Sequence, residues 1–216
     1  MTPPAASLAP RNPTEDAILA GALRALAETP YERLTIDGIA REAYVSRTAV
    51  YFYFPNKRAV VDRLIQQAFA EMYAAGAVYL DGDGEPRLQL RLALPRVATA
   101  VQRHARILVL AARISGREDR LPAGWQPHLA RFVDGAERRI ARDQECGVAP
   151  ADVDARVSAR AMCAMVERYL RMQAVGGQDR GGPEVVRSLA ELWYRAVYCS
   201  PDAPPVADDP PPSPAD

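Results

Sequence analysis

Two short apolar repeats, joined by a corner of three residues, constrain this chain more than any other feature. Thr35 is a good N-cap, and Ile36, Ile39, Ala40 and Ala43 follow at the i, i+3, i+4, i+7 spacing of one apolar helix face. Tyr44 and Val45 make the turn, and Ser46 can accept a hydrogen bond from the free N–H groups that open a second helix, about Arg47 to Phe54. Val45, Ala49 and Val50 can face a small core, which leaves Arg47, Thr48 and the tyrosine hydroxyls outward. Two short helices at such a corner form a helix-turn-helix, and the outward set suits a DNA major groove. Arginine forks onto O6 and N7 of guanine, and threonine can donate, accept or touch a thymine methyl, so Arg47 and Thr48 are the expected base readers. Tyr51, Tyr53 and Lys57 lie at the far end, where two hydroxyls and an ammonium suit phosphate. The plainer role for aromatic residues at helical spacing is core, and Phe52 and Phe54 are expected there.

The whole run from Thr35 to Lys57 resembles the DNA-binding domain of the TetR family of transcriptional regulators. That pattern has a threonine-opened helix, a small turn ending Val-Ser, then Tyr-x-His/Tyr-Phe and a lysine. The resemblance implies that Thr35, Ser46, Tyr51, Tyr53 and Lys57 hold DNA backbone, with Phe54 in the core. The chain departs from the pattern at Tyr44, usually glycine, and at Thr48, often glycine or proline.

Composition permits this reading without naming it. A chain of 216 residues with 49% hydrophobic content can bury one modest domain or two small ones. Its formal net charge is zero, so no global field draws it to nucleic acid. Charge is local instead: from Arg41 to Arg63 five basic residues (Arg41, Arg47, Lys57, Arg58, Arg63) stand against Glu42 and Asp62, a net of +3. So weak a bias favours two copies acting together on one duplex. The longest strongly apolar run, Ile107 to Ala112, is too short to cross a bilayer, and neither region of a signal peptide is present at the N-terminus. A cytoplasmic protein with no membrane partner is expected. Cys146, Cys163 and Cys199 have no C-x-x-C spacing, so buried thiols are expected rather than disulfides or a metal site.

The expected architecture is all-α, with about nine helices: a three-helix N-terminal domain over 13–72, carrying the helix-turn-helix at about 35–54, and a helical ligand-binding and dimerisation domain over 73–200. Residues 1–12, and 201–216 with seven prolines and four aspartates, are expected to be disordered tails. Thr14 can cap a first helix running to about Thr29. A long helix begins near Asn56 and carries Val60, Val61, Leu64, Ile65, Ala68, Phe69 and Met72 inward. Asp81 to Pro86 ends it; an EF-type calcium loop fails there because Leu92 stands where a glutamate is needed. Helices at about 86–104, with Pro95 as a kink, and 105–116 are expected to pair. An irregular corner, Leu121 to Pro127, leads to a helix at about 127–146.

The last two helices, about 152–174 and 183–199, are apolar over wide arcs, and the surface they do not cover on each other is assigned to a second subunit. A two-fold pair of recognition helices reads a palindrome, and a ligand that shifts the long helix changes their spacing.

In length, in Val166-Glu167-Arg168, in Trp193 and in the Tyr-Phe-Tyr-Phe-Pro run, the chain is most similar to the TetR-family branch typified by the mycobacterial ethionamide-resistance repressor. That branch has a narrow apolar ligand channel in each C-terminal domain. The resemblance implies that Cys163, Val166 and Trp193 line it, with Val97 and Val101 opposite, although the related repressor has asparagines at the positions of Cys163 and Val166. Trp125, Phe132 and Met162 join them from apolar position alone. The implied function is a homodimeric, ligand-responsive regulator, by the family's habit a repressor, released from its operator by a small apolar effector. A helical protein-binding adaptor and a small enzyme are the other classes. His104 and His128 are the only histidines, and no nucleophile, P-loop or dinucleotide motif occurs, so neither a catalytic residue nor a cofactor is expected.

Overall fold

The computed structural model describes residues 12–114, 125–176 and 182–199, with side chains omitted at 111–114, 175 and 176. Among these residues there are nine α-helices and no strand: α1 (Pro13–Glu28), α2 (Ile36–Ala43), α3 (Arg47–Tyr53), α4 (Lys57–Leu80), α5 (Pro86–Arg103), α6 (Ala105–Ile114), α7 (Gln126–Glu145), α8 (Ala155–Gly176) and α9 (Pro183–Tyr198), with a 3-10 turn at Tyr31–Arg33. The fold is all-α. Of the expected tails 1–12 and 201–216 and the corner 121–127, residues 1–11, 201–216 and 121–124 lie outside the described residues; Asn12 caps α1 and Gln126 opens α7.

Local chemistry sets most helix starts. Side-chain oxygens of Thr35, Ser46 and Asn56 accept from the N–H groups of Gly38, Ala49 and Ala59 at 3.0, 3.0 and 2.9 Å, each occupying an otherwise orphaned donor. The first helix starts earlier than expected. Asn12, not Thr14, is its cap, accepting from the Thr14 N–H at 3.0 Å, with Pro13 at the first helical position, where a missing N–H costs nothing. Gly21 lets α1 cross α2 at backbone distance: a Cβ there would lie 2.6 Å from the Ala43 nitrogen.

Helix α2 ends on Tyr44 at φ 57°, ψ 36°, the only non-glycine residue with positive φ among those described. The Val45 N–H reaches back to the Ala40 carbonyl at 3.0 Å, the bond that closes a Schellman-type C-cap. Glycine adopts this conformation freely, whereas a residue with a Cβ loses about 1–2 kcal/mol.

One core expectation is corrected in α3. Phe54 is buried, but Phe52 is 82% exposed. Val50 and Phe54, four residues apart, share the inward face, and position 52 lies on the opposite side of the helix.

The helices beyond α4 pair differently from the sequence expectation. Helix α6 packs on α4 and α8 more than on α5, while α9 lies along α5 and α8 along α7. Pro95 sits inside α5, and the carbonyl of Pro95 accepts from the Thr99 hydroxyl at 2.9 Å. The three thiols are free, and Cys146, just past the end of α7, is exposed rather than buried. No described helix is long and apolar enough to cross a membrane, and no described group of three or more acidic, His or Cys side chains could hold a metal ion.

Candidate functional site

Two features stand out, one at each end of α4. The first is the outer face of α2 and α3. Thr35, Ser46, Arg47, Thr48 and Tyr51 are exposed there, and Tyr53 and Lys57 are half-buried. The Arg47 guanidinium rests between two neighbours, 3.3 Å from an Asp37 carboxylate oxygen and 3.4 Å from the Tyr51 hydroxyl. The hydrogen bond to Tyr51, and then the Asp37 charge, push its pKa further up. Arg47 is therefore pre-oriented on the surface but must leave Asp37 to grip another acceptor.

Lys57 departs from the expectation of an ammonium free for phosphate. Its Nζ donates to the carbonyls of Tyr31, Glu32 and Leu34 at 2.9, 3.2 and 3.0 Å, and lies 4.7 Å from the Tyr31 ring centroid. An ammonium has three protons, and three carbonyls take them. Lys57 thus ties the segment before α2 to the start of α4. Arg58 and Arg63 are likewise paired, with Asp62 at 2.8 Å and Glu15 at 2.7 Å, which further thins the local positive field. Two exposed aromatic residues on this face were not among the candidates: Phe52, detectable from the Val50–Phe54 spacing, and Tyr44, 92% exposed.

The second feature is a cavity of about 1430 Å³ among α4 to α9, larger than the usual small-molecule site. Val97, Val101, Trp125, Phe132, Cys163, Val166 and Trp193 all line it. Met162 does not: it is half-buried against the core. Phe69, Met72 and Leu80 from α4 complete the apolar part of the wall, and charged side chains including Asp134, Arg156, Arg160 and Glu167 also line the cavity; the α4 stripe reads in sequence as ordinary core, which looks the same as a cavity lining. Burial pushes the Cys163 thiol up to about 12, so it stays neutral and behaves as a small apolar group. Trp125 meets the edge of Phe69 at 5.4 Å between centroids, and its buried indole N–H has no acceptor among the described residues.

Behind this wall runs a buried polar chain. The Trp193 indole donates to the Tyr79 hydroxyl at 3.2 Å, the Tyr79 and Tyr198 hydroxyls are 2.9 Å apart, and Tyr198 donates to Asp143 at 2.8 Å. Burial raises both phenols, Tyr79 to about 12, so both remain neutral donors. Asp143 pairs with Arg139 at 2.6 Å, and Arg139, 1% exposed, donates onward to the carbonyls of Tyr79, Gly82 and Gly84 at 3.0, 3.0 and 2.6 Å and to the side chain of Gln89. One guanidinium thereby locks the end of α4 and the turn after it to α7.

Residues 18–64 match the model for bacterial regulatory proteins, tetR family, and residues 90–199 match that for the C-terminal domain of the transcriptional regulator EthR. The chain belongs to the TetR family. Its relatives include the HTH-type transcriptional regulator EthR of Mycobacterium tuberculosis, 28% identical over 190 residues that span 85% of this chain and 87% of the relative. The EthR of Mycolicibacterium smegmatis is 25% identical over 189 residues, 85% of this chain and 86% of that one. Among solved structures, the fatty acid degradation regulator FadR from Bacillus halodurans superposes with a TM-score of 0.69 at 15% identity, covering 86% of this chain and 96% of that one. NalD of Pseudomonas aeruginosa, the secondary repressor of the MexAB-OprM multidrug efflux pump, gives 0.62 at 19% identity over 86% and 95%. These structural likenesses show the fold. Family membership makes this TetR-type protein a transcriptional regulator, not an enzyme, with a DNA-binding helix-turn-helix and a ligand-binding C-terminal domain.

Proposed function

We propose that this regulator is a repressor, binding a palindromic operator as a homodimer and released by a small, mostly apolar effector. The observation that carries the reading is the mostly apolar cavity walled in part by Phe69, Met72 and Leu80 of α4, the helix whose first residue, Lys57, is bonded to the segment leading into the helix-turn-helix. In this account residues 13–72 form the DNA-binding domain and 73–200 the effector and dimerisation domain. Arg47 and Thr48 read base edges, and Phe52 adds an apolar surface that suits a thymine methyl. Tyr51 and Tyr53 donate to phosphates, and the capped openings of α2 and α3 at Thr35 and Ser46 bring backbone N–H groups to the same strand.

Dimerisation is supported by apolar surface left open on the last two helices: Val157 on α8 and Leu192 on α9 are each more than half exposed, at 62% and 54%. Zero net charge and internally paired arginines give a single copy little grip on DNA, so two copies on one duplex supply the affinity. An effector that fits the cavity better in one arrangement of α4 shifts the population toward that arrangement and away from the operator spacing.

The test is fluorescence anisotropy with the full-length protein and a duplex from the region upstream of its own gene. The expected result is a preference for that duplex over a scrambled one, steep loss with salt, and a large loss on Arg47→Ala. Equal affinity for both duplexes would refute the reading. For the cavity, displacement of an apolar dye should be weakened by Trp193→Ala; unchanged binding would remove Trp193 from the site.

A further inference from the structure

We infer that Tyr44 is a DNA-contacting residue, its ring lying against the sugar–phosphate backbone beside Arg47 and Thr48 and its hydroxyl donating to a phosphate. The inference rests on the DNA-binding reading above. It begins with a residue that has no reason to be tyrosine inside the protein. Position 44 is held at φ 57°, ψ 36° by the backbone bond that ends α2, a conformation suited to glycine or asparagine. The side chain gains nothing in return within the chain. It is 92% exposed, and among the described residues it makes no side-chain hydrogen bond or ring contact.

Its surroundings point to the occupant. Tyr44, Tyr51 and Phe52 are the large aromatic side chains left exposed among the described residues, and all three fall within nine consecutive positions of the helix-turn-helix. Between them stand Ser46, Arg47 and Thr48, and Arg41 precedes them, all exposed. The exposed polar residues nearest in the chain, Arg41, Ser46, Arg47 and Thr48, are basic or hydroxylic, a set that suits a phosphate backbone better than an apolar protein patch. Aromatic faces interleaved with arginine and hydroxyl donors suit a nucleic-acid backbone, where a phenol can pack on sugar and donate to phosphate in one reach.

The strain makes the test sharp, because stability and affinity should move in opposite directions. Tyr44→Gly and Tyr44→Asn both fit the left-handed turn, and each should raise the melting temperature by about 2–4 °C. Each should also lower affinity for the operator duplex about fivefold per half-site. Tyr44→Phe keeps the ring and the strain, so its melting temperature should match wild type while affinity falls about threefold through loss of the phosphate bond. Gly and Asn variants that melt higher and bind the operator as tightly as wild type would overturn the inference; a Phe variant with full affinity would overturn the hydroxyl's part in it. Failure of the underlying DNA-binding reading shows separately, as wild-type protein with no preference for its operator over scrambled DNA.

Discussion

Helix α4 is tied down at both ends by a single cation, but the two ties differ in chemistry and in burial. At its start the Lys57 ammonium meets three carbonyls that converge on one point. At its end the Arg139 guanidinium spreads over the carbonyls of Tyr79, Gly82 and Gly84, the Asp143 carboxylate and Gln89. A compact ammonium suits convergent acceptors, and a planar fork suits divided ones. The one lysine among the 27 basic side chains stands where three carbonyls converge. The start of α4 is only partly buried, so its tie can loosen in water. The Arg139 tie is sealed and cannot.

The two ties differ most at Arg139. Arg139→Ala leaves a buried Asp143 and several carbonyls without a partner, and we expect a loss of about 3–5 kcal/mol, a fall of roughly 10 °C or more in melting temperature. Arg139→Lys should recover little of it. At the other end, Lys57→Met keeps the stem and should cost about 2 kcal/mol, discounted for partial exposure. If Lys57 works as a tie, operator affinity in that variant falls while the slope of log K against log salt stays unchanged; a slope reduced by about one would return Lys57 to the phosphate backbone. Lys57→Arg should cost about 1 kcal/mol, since the charge remains but the convergence is lost. Tyr198→Phe, which removes the hydroxyl between Tyr79 and Asp143, should cost about 1 kcal/mol by thermal melting.

The smallest effect is pH-dependent. His128 stacks on Phe69 at 4.8 Å, and burial, then the neighbouring Arg131 charge, lower its pKa below the ordinary 6.5. The unfolded chain then binds a proton that the folded one resists. Stability is intact above pH 6.5 and falls as the pH drops below it. Melting scans between pH 7.5 and 5.5 should show a slightly shallower acid decline for His128→Gln.

What was legible in the sequence is what is local. Thr35, Ser46 and Asn56 each cap a helix within three residues, so spacing alone exposes them. The bonds that Lys57 makes to three carbonyls are not legible, because those carbonyls lie 23 to 26 residues upstream and carry no side-chain signature. The same holds for Arg139, one arginine among many until the turn at Gly82 and Gly84 folds over it. The cavity wall was legible in α5, α8 and α9 through the family resemblance. It was not legible in α4, where Phe69 and Met72 show the stripe that an ordinary core would show. Met162 shows the limit at one residue: it is as apolar as its neighbour Cys163, yet it packs on the core and is not on the wall.

Filling the cavity should move the DNA-reading end. The direct measurement is operator affinity of wild-type protein, by anisotropy, with and without a saturating apolar probe such as 1-aminoanthracene, whose own fluorescence reports occupancy. Our account predicts a loss of about tenfold or more once the cavity is full, in line with a coupling of a few kcal/mol between sites. Unchanged operator affinity at full occupancy would contradict it.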